Sequence, residues 1–119
     1  MAFTSNGGPF STQILSAATD GASAPRPCQG YPHLAVTVEA SAALSAGVLV
    51  VEEASYNPSQ TVPYGGAWSV ARTYNLASLF PSAGGQYTDH LPVAAYPNLR
   101  VRFTTPASGG TVGVTLEGC

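Results

Sequence analysis

The sequence predicts an all-β domain, a two-sheet antiparallel β-sandwich of jelly-roll type with an extended N-terminal arm. Apolar and polar residues alternate in several short segments, and glycine and proline turn signals separate these segments at intervals of about 8–12 residues. No segment of ten or more residues has the helical period, and the alanine-rich residues 40–46 are too few for a stable helix. A chain of 119 residues has the size of one domain.

The alternation is clearest in four segments. Residues 34–38, 49–51, 99–103 and 112–116 place apolar side chains at every second position. Because side chains along a strand point alternately to its two faces, each segment has one apolar face for the core. The residues expected to be buried between the sheets are Leu34, Val36, Val38, Leu49, Val51, Leu99, Val101, Phe103, Val112, Val114 and Leu116.

Other elements are indicated by their boundaries. Residues 68–72 are predicted as a strand, and residues 76–80 as a short turn or strand. Residues 86–92 are predicted as an edge strand, because Pro92 cannot donate a ladder hydrogen bond. Residues 108–110, Ser-Gly-Gly, are predicted to form a hairpin turn before the last strand.

The first 13 residues are rich in glycine, serine, threonine and asparagine but also contain Phe3 and Phe10. This composition predicts an arm over residues 1–13, followed by a single sandwich domain over residues 14–119. Phenylalanines on a polar arm usually dock on their own domain or on a partner. Phe3 and Phe10 are therefore candidate contacts to a neighbouring subunit.

A second candidate contact region lies in the middle of the chain. Residues 57–66 are polar, with two prolines and a pair of glycines, and they predict a long tip after the second strand. Loops of this length are usually functional or packed against a partner. Tyr56 and Tyr64 are the candidate contacts there.

The composition points to a surface with little charge. Charged residues make up 8% of the chain, lysine is absent, and the formal net charge is −2. Two explanations fit: a secreted all-β domain, or a subunit whose surface is largely covered by neighbours. Four scattered arginines exclude extensive phosphate contacts and hence nucleic-acid binding.

Targeting signals are not evident in the sequence. The N-terminus has neither a basic nor an apolar signal region, and the longest apolar run, residues 46–51, is too short to span a membrane. These features predict synthesis in the cytoplasm and no membrane partner. Cytoplasmic synthesis favours reduced thiols, whereas release from a lysed cell allows oxidation, so Cys28 and Cys119 are either free thiols or a candidate disulfide.

The sequence contains no convincing catalytic, metal or cofactor site. Asp89 and His90, like Glu52 and Glu53, are adjacent in predicted strands and so point to opposite faces, which prevents them from acting together. We therefore expect no enzyme activity, no metal and no cofactor.

Sugar binding is the alternative function. Exposed aromatic side chains can stack on a sugar, although Trp68 is predicted to be a core anchor. The aromatic candidates are Tyr56, Tyr64, Trp68, Tyr74 and Tyr87.

Short stretches over nearly the whole chain resemble a family of small β-sandwich proteins that decorate the heads of tailed phages. After residue 52 the chain departs from that pattern, because residues 54–60 read ASYNPSQ where relatives often have a turn of the form S-DG-W. The stretches that carry the resemblance are LSAAT at 15–19, VTVE at 36–39, GVLVVE at 47–52, YPNLRVR at 96–102 and GGTVGVTL at 109–116.

The resemblance implies a structural protein without enzyme activity. Such proteins are added to the outer surface of the assembled head, often as homotrimers, where they bridge subunits of the major capsid protein. The resemblance thus implies a location on the outer capsid surface of the virion. The alternative within the same setting is a tail- or fibre-associated module that binds glycans.

Overall fold

A computed structural model describes residues 10–28, 31, 33–54, 68–91 and 98–118. The chain forms two four-stranded antiparallel sheets and one short helix. The all-β, two-sheet prediction is therefore confirmed. The strands are β1 (Phe10–Ala18), β2 (Arg26–Pro27), β3 (Leu34–Ala40), β4 (Ala46–Ala54), β5 (Ser69–Asn75), β6 (Gly85–Leu91), β7 (Asn98–Ser108) and β8 (Val112–Gly118), and helix α1 is Leu76–Leu79.

The strand order interleaves the two halves of the chain. The first sheet has the order β1-β8-β3-β6, and the second sheet has the order β2-β7-β4-β5. The first strand therefore lies beside the last, the second beside the second-to-last, and so on: β1 is beside β8, β2 beside β7, β3 beside β6 and β4 beside β5. As a result, β6 and β5 end the two sheets on one side of the sandwich, and β1 and β2 end them on the other.

The core lies between the two sheets and is formed by the alternating apolar residues. All eleven residues predicted to be buried are at most 5% exposed, and they belong to one apolar cluster. Full burial of an aliphatic side chain stabilises the fold by about 1.5–3 kcal/mol, so this cluster is the main favourable contribution to folding.

One end of the sandwich is closed by α1, where the sequence predicts a short turn or strand. Asn75 caps the helix by accepting a hydrogen bond from the Ser78 amide at 3.4 Å. Leu76 is fully buried, and the Phe80 carbonyl accepts a hydrogen bond from the Leu44 amide at 2.8 Å. The helix forms because an Asn cap and one buried leucine can anchor a single turn that has no strand partner.

The predicted hairpin at residues 108–110 is wrong. β7 belongs to the second sheet and β8 to the first, so the Ser-Gly-Gly turn connects the two sheets across the core. Gly109 has a positive φ of 104°, and a Cβ there would lie 2.6 Å from the Ala43 carbonyl oxygen. Glycine is needed because the turn packs closely on the chain between β3 and β4.

The predicted boundary of the arm is also wrong for residues 10–13. These residues belong to β1 and pair with β8 from Phe10↔Gly118 to Gln13↔Thr115. Polar residues alternate with half-buried ones in this stretch, and edge pairing satisfies their backbone groups despite the weak apolar signal. The rest of the predicted arm, residues 1–9, lies outside the described residues.

Candidate interaction surfaces

Phe10 packs partly on its own domain. Its ring lies edge-on to Tyr31, with 4.8 Å between ring centroids, and the Arg26 guanidinium lies 4.2 Å above it. Phe10 is half-buried by its own domain, and its role as a candidate contact to a neighbouring subunit stays a prediction. The other candidate contacts, Phe3, Tyr56 and Tyr64, lie outside the described residues.

The outer face of the second sheet carries an ion-pair cluster that consists of Glu52, Arg100 and Arg102. Arg102 donates two hydrogen bonds to the Glu52 carboxylate, from Nε to Oε1 at 3.1 Å and from Nη2 to Oε2 at 3.0 Å. Arg100 Nε donates to the same Oε1 at 2.9 Å. The Glu52 residue is only 4% exposed, so its charge is almost fully shielded by the two guanidinium groups.

Strand register explains why these three side chains meet. Glu52 on β4 is paired with Arg100 on β7, and Arg102 lies two residues further along β7 on the same face. The hydrogen bonds from Arg102 lower the pKa of Glu52 most; burial opposes this effect, and Arg100 adds to it. The cluster therefore favours the ionised carboxylate. Sequence reasoning missed it, although two arginines at i and i+2 on one strand were a usable signal.

Trp68 extends this cluster. The Arg100 guanidinium lies 4.3 Å from the centroid of the Trp68 ring, in a cation–π arrangement on the outer face of the second sheet. Trp68 is half-buried and is absent from the core cluster, so the prediction of a core anchor is wrong. Trp68 directly precedes β5, the edge strand of the second sheet, and its indole therefore packs on the arginine of the outer face rather than in the core.

A second polar cluster bridges the two sheets between β5 and β6. Tyr74 donates a hydrogen bond from its hydroxyl to Asp89 Oδ2 at 2.7 Å, and Arg72 Nε lies 3.4 Å from the same oxygen. Burial, and then the hydrogen bond to Asp89, raise the pKa of Tyr74. This side of the sandwich is thus closed by polar contacts between the two edge strands.

Two large apolar side chains are exposed on the same side. Val70 on β5 is 53% exposed, and Tyr87 on β6 is 38% exposed. The Tyr87 ring meets the Tyr74 ring edge-on, with 6.0 Å between centroids. The β5–β6 side is therefore the part of the described surface with the most exposed large apolar residues.

The outer face of the first sheet is covered by short polar side chains. Thr37 and Thr88 share a hydrogen bond at 2.9 Å between their hydroxyls, and Gln86 donates to Glu39 at 2.6 Å. The charged residues that the described strands place on this face are the acids Glu39 and Glu117, and these strands place no arginine there. It presents a polar, weakly acidic surface of hydrogen-bonding side chains.

Both histidines border a shallow cavity of about 230 Å³ at the end of this face. No group of three or more histidine, cysteine or acidic residues in the described part of the chain is arranged to hold a metal ion. Asp89 points toward Arg72 and Tyr74, whereas His90 is exposed on the other face of β6, so the two do not act together. The cavity is lined by His33, Leu34, Ala35, His90, Glu117 and Gly118.

Cys28 is a free thiol in this structure and is 1% exposed. Its Sγ donates to the Arg26 carbonyl oxygen at 3.4 Å, and burial raises its pKa to about 11. Such a thiol is protonated at neutral pH and reacts slowly. In the candidate disulfide between Cys28 and Cys119, Cys28 is thus a free thiol in this structure. Cys119 lies outside the described residues.

The helix content and the comparison with known proteins complete the description of the chain. No helix in the described ranges is long and apolar enough to cross a bilayer. No known family model matches the chain, and no curated protein matches it.

Proposed function

We propose that this protein is a non-enzymatic structural component of a phage virion that decorates and stabilises the outer capsid surface. In this role it contacts subunits of the major capsid protein and its own copies, without nucleic acid, membrane or cofactor. The proposal rests on the resemblance to phage head decoration proteins and on one physical observation, the near-absence of free positive charge on the surface.

The four arginines are all engaged within the chain. Arg26 stacks on Phe10, Arg72 pairs with Asp89, and Arg100 and Arg102 pair with Glu52. With no lysine in the sequence and three of the four arginines paired with carboxylates, little unpaired positive charge is left to interact with phosphate. A polar but weakly charged surface is suited to extensive contact with other protein subunits, because few charges have to be desolvated on binding.

We further propose that the sandwich is of jelly-roll type. The orders β1-β8-β3-β6 and β2-β7-β4-β5 support this assignment. They correspond to a long antiparallel ribbon, with strands paired first-to-last, that is rolled into two sheets. Jelly rolls of eight strands are common in viral capsid proteins and lectins, so the topology is consistent with the proposed role.

Residues 1–9, including Phe3, are the proposed capsid clamp. Deleting residues 1–9 retains every described pair between β1 and β8, whereas deleting residues 1–13 removes the four pairs from Phe10↔Gly118 to Gln13↔Thr115. The shorter deletion therefore separates binding from folding. Full burial of one phenylalanine contributes about 1.5–3 kcal/mol, partly offset by ordering the arm.

The test is co-sedimentation of the purified protein with empty heads of the phage that encodes it. We expect saturable binding with many copies per head, and a large loss of occupancy for the protein lacking residues 1–9 and for Phe3→Ala. Thr104→Ala, on an exposed position of β7, is the matched control with unchanged occupancy. Absence of saturable binding by the full chain would contradict the proposal.

The glycan-binding alternative predicts a different result. Of its aromatic candidates, Trp68 is stacked on Arg100 and Tyr74 is buried, which leaves neither as a free platform for a sugar. The alternative thus depends on Tyr56, Tyr64 and the exposed Tyr87. Retention on host glycans that is lost in Tyr56→Ala or Tyr64→Ala, together with no head binding, would favour it.

A further inference from the structure

Among the strands that the structure describes, β6 is a regular edge strand of the first sheet, with β3 as its neighbour on one side only. It pairs with β3 through seven consecutive positions, Leu34↔Leu91 to Ala40↔Gly85, without any irregularity. The other terminal strands that the structure describes are less suitable. β1 has two register shifts, β5 has one, and β2 has only two residues.

The β6 edge has few of the features that usually prevent edge-to-edge pairing. Natural edge strands are protected by lysine, proline, bulges or inward charges. This chain has no lysine, and residues 85–91 contain no proline. The one inward charge of β6 is Asp89, which lies opposite the buried Val36 on the core-facing side of the sheet. This carboxylate is already paired with Tyr74 and Arg72 of its own chain.

We propose that the β6 edge binds the β6 edge of a second copy of this chain. The two strands run antiparallel about a two-fold axis at Thr88, the central residue of β6, and join the two first sheets into one. Thr88 then faces Thr88 of the partner subunit, and the full length of the strand is paired. The inference concerns the protein in solution and does not depend on capsid binding.

The sequence of β6 is complementary to itself in this register. Gln86 faces His90 of the partner subunit on the outer side, where an amide and an imidazole form a hydrogen bond. On the other side Tyr87 faces Asp89 of the partner subunit, so the phenol meets a carboxylate. Cross-strand pairs of these kinds, including the threonine pair, each stabilise a sheet modestly.

Neighbouring registers are less favourable. An axis at Asp89 places two carboxylates directly opposite each other, which is destabilising. An axis at Tyr87 pairs only residues 85–89, because the strand begins at Gly85. The register at Thr88 uses all seven residues and opposes no like charges, and it also covers the exposed Tyr87 ring.

Cysteine cross-linking tests this register directly. In a Cys119→Ser background, Thr88→Cys places two thiols opposite each other, with Cα atoms about 4.5–5.5 Å apart, inside the range for a disulfide. Gln86→Cys is the matched control on the same face. In this register the two copies of residue 86 lie four positions apart, or roughly 13 Å.

We expect mild oxidation to convert most of the Thr88→Cys protein to covalent dimers and to leave the Gln86→Cys protein monomeric. Equal cross-linking of both variants, or none in either, would overturn the proposal. The buried Cys28 does not compete in the native protein.

A charge-pair experiment tests the same contact without cross-linking. Gln86→Lys with His90→Lys opposes like charges across the axis, whereas Gln86→Lys with His90→Glu opposes unlike charges. Within the chain, a lysine at 86 keeps an acidic partner, because Gln86 already bonds to Glu39. Sedimentation velocity should show dimers in the wild type and the Lys/Glu variant, with at least tenfold weaker association in the Lys/Lys variant. A wild type that stays monomeric at about 0.5 mM, or equal association of the two variants, would contradict the contact.

Discussion

Glu52 is the position at which a single small change should destabilise this fold most selectively. Glu52→Gln keeps the shape of the side chain but removes its charge and replaces one acceptor oxygen with an amide that cannot accept. Arg100 and Arg102 then lose the carboxylate to which they donate three hydrogen bonds. The apolar core between the sheets is not altered.

The size of the effect follows from burial. Hydrogen bonds to charged groups contribute about 1.5–3 kcal/mol, and breaking a fully buried ion pair costs about 3–5 kcal/mol. Here the carboxylate is buried, but the Arg100 and Arg102 side chains are 26% and 39% exposed, so water partly replaces the lost partner. We therefore expect a loss of about 2 kcal/mol in the free energy of unfolding, or a fall in Tm on the order of 8 °C.

The difference in the free energy of unfolding between the wild type and Glu52→Gln should depend on pH. The folded-state pKa of Glu52 is lower than its ordinary value of 4.5, so ionisation stabilises the fold. This contribution is fully present above the unfolded-state pKa and is lost as the pH falls through the folded-state pKa. The advantage of the wild type should thus be constant near neutral pH and decrease in acid below about 4.5.

Urea denaturation followed by circular dichroism measures the difference at each pH. Glu117→Gln is the matched control, because Glu117 is an exposed acid whose contact to Ser11 is long, at 3.5 Å. It should change stability by less than about 0.5 kcal/mol. If Glu52→Gln also stays within that limit, the reasoning is refuted, and desolvation of the carboxylate cancels its attraction to the arginines.

Three other changes test separate parts of the structure. Tyr74→Phe removes the hydroxyl bonded to Asp89 and should lower the free energy of unfolding by about 1–2 kcal/mol, measured by urea denaturation. Cys28, in a Cys119→Ser background, should react with a thiol reagent orders of magnitude more slowly in the native state than in urea, because it is buried and protonated. Gly109→Ala should lower stability by about 3 kcal/mol, since the added Cβ combines a positive φ with a close approach to the Ala43 carbonyl.

Two of these changes have a control within the chain, and the third has an outcome that would contradict it. Tyr87→Phe changes an exposed tyrosine and should be nearly neutral, so an equal loss in both tyrosine variants would argue against the Asp89 bond. Rapid native labelling of Cys28 would show that the site opens readily. Gly21 has a similar φ of 97° but no atom within 4 Å of an added Cβ, so Gly21→Ala should cost only about 1 kcal/mol. Equal losses at Gly21 and Gly109 would refute the proposed steric contact.

The alternating apolar pattern was sufficient to predict the sandwich and its core. A period of two residues determines which side chains share a face, so Val36, Val101 and Val114 were recognisable as core residues from the sequence alone. Alternation is a local property, however, and it does not specify which strands are neighbours. That is why the turn at residues 108–110 was predicted as a hairpin although it joins the two sheets.

The polar clusters were not predictable in the same way. Glu52 meets Arg100 and Arg102 only because β4 and β7 are paired in one register, across almost 50 residues of sequence. Asp89 meets Tyr74 because the two sheets end on the same side. In both cases the local sequence gives the face of each residue but not its partner. Likewise, the contacts of Phe10 to Tyr31 and Arg26 were not predictable from the polar sequence around it, because these two residues lie elsewhere in the chain.

The most direct test of the proposed function is the copy number of this protein in purified virions, relative to the major capsid protein. Quantitative mass spectrometry with isotope-labelled peptides of both proteins gives the ratio. Decoration of the capsid surface predicts a ratio close to that of a lattice component, with at least one copy for every few capsid subunits. A handful of copies per particle, or none, would contradict decoration and would place the protein elsewhere.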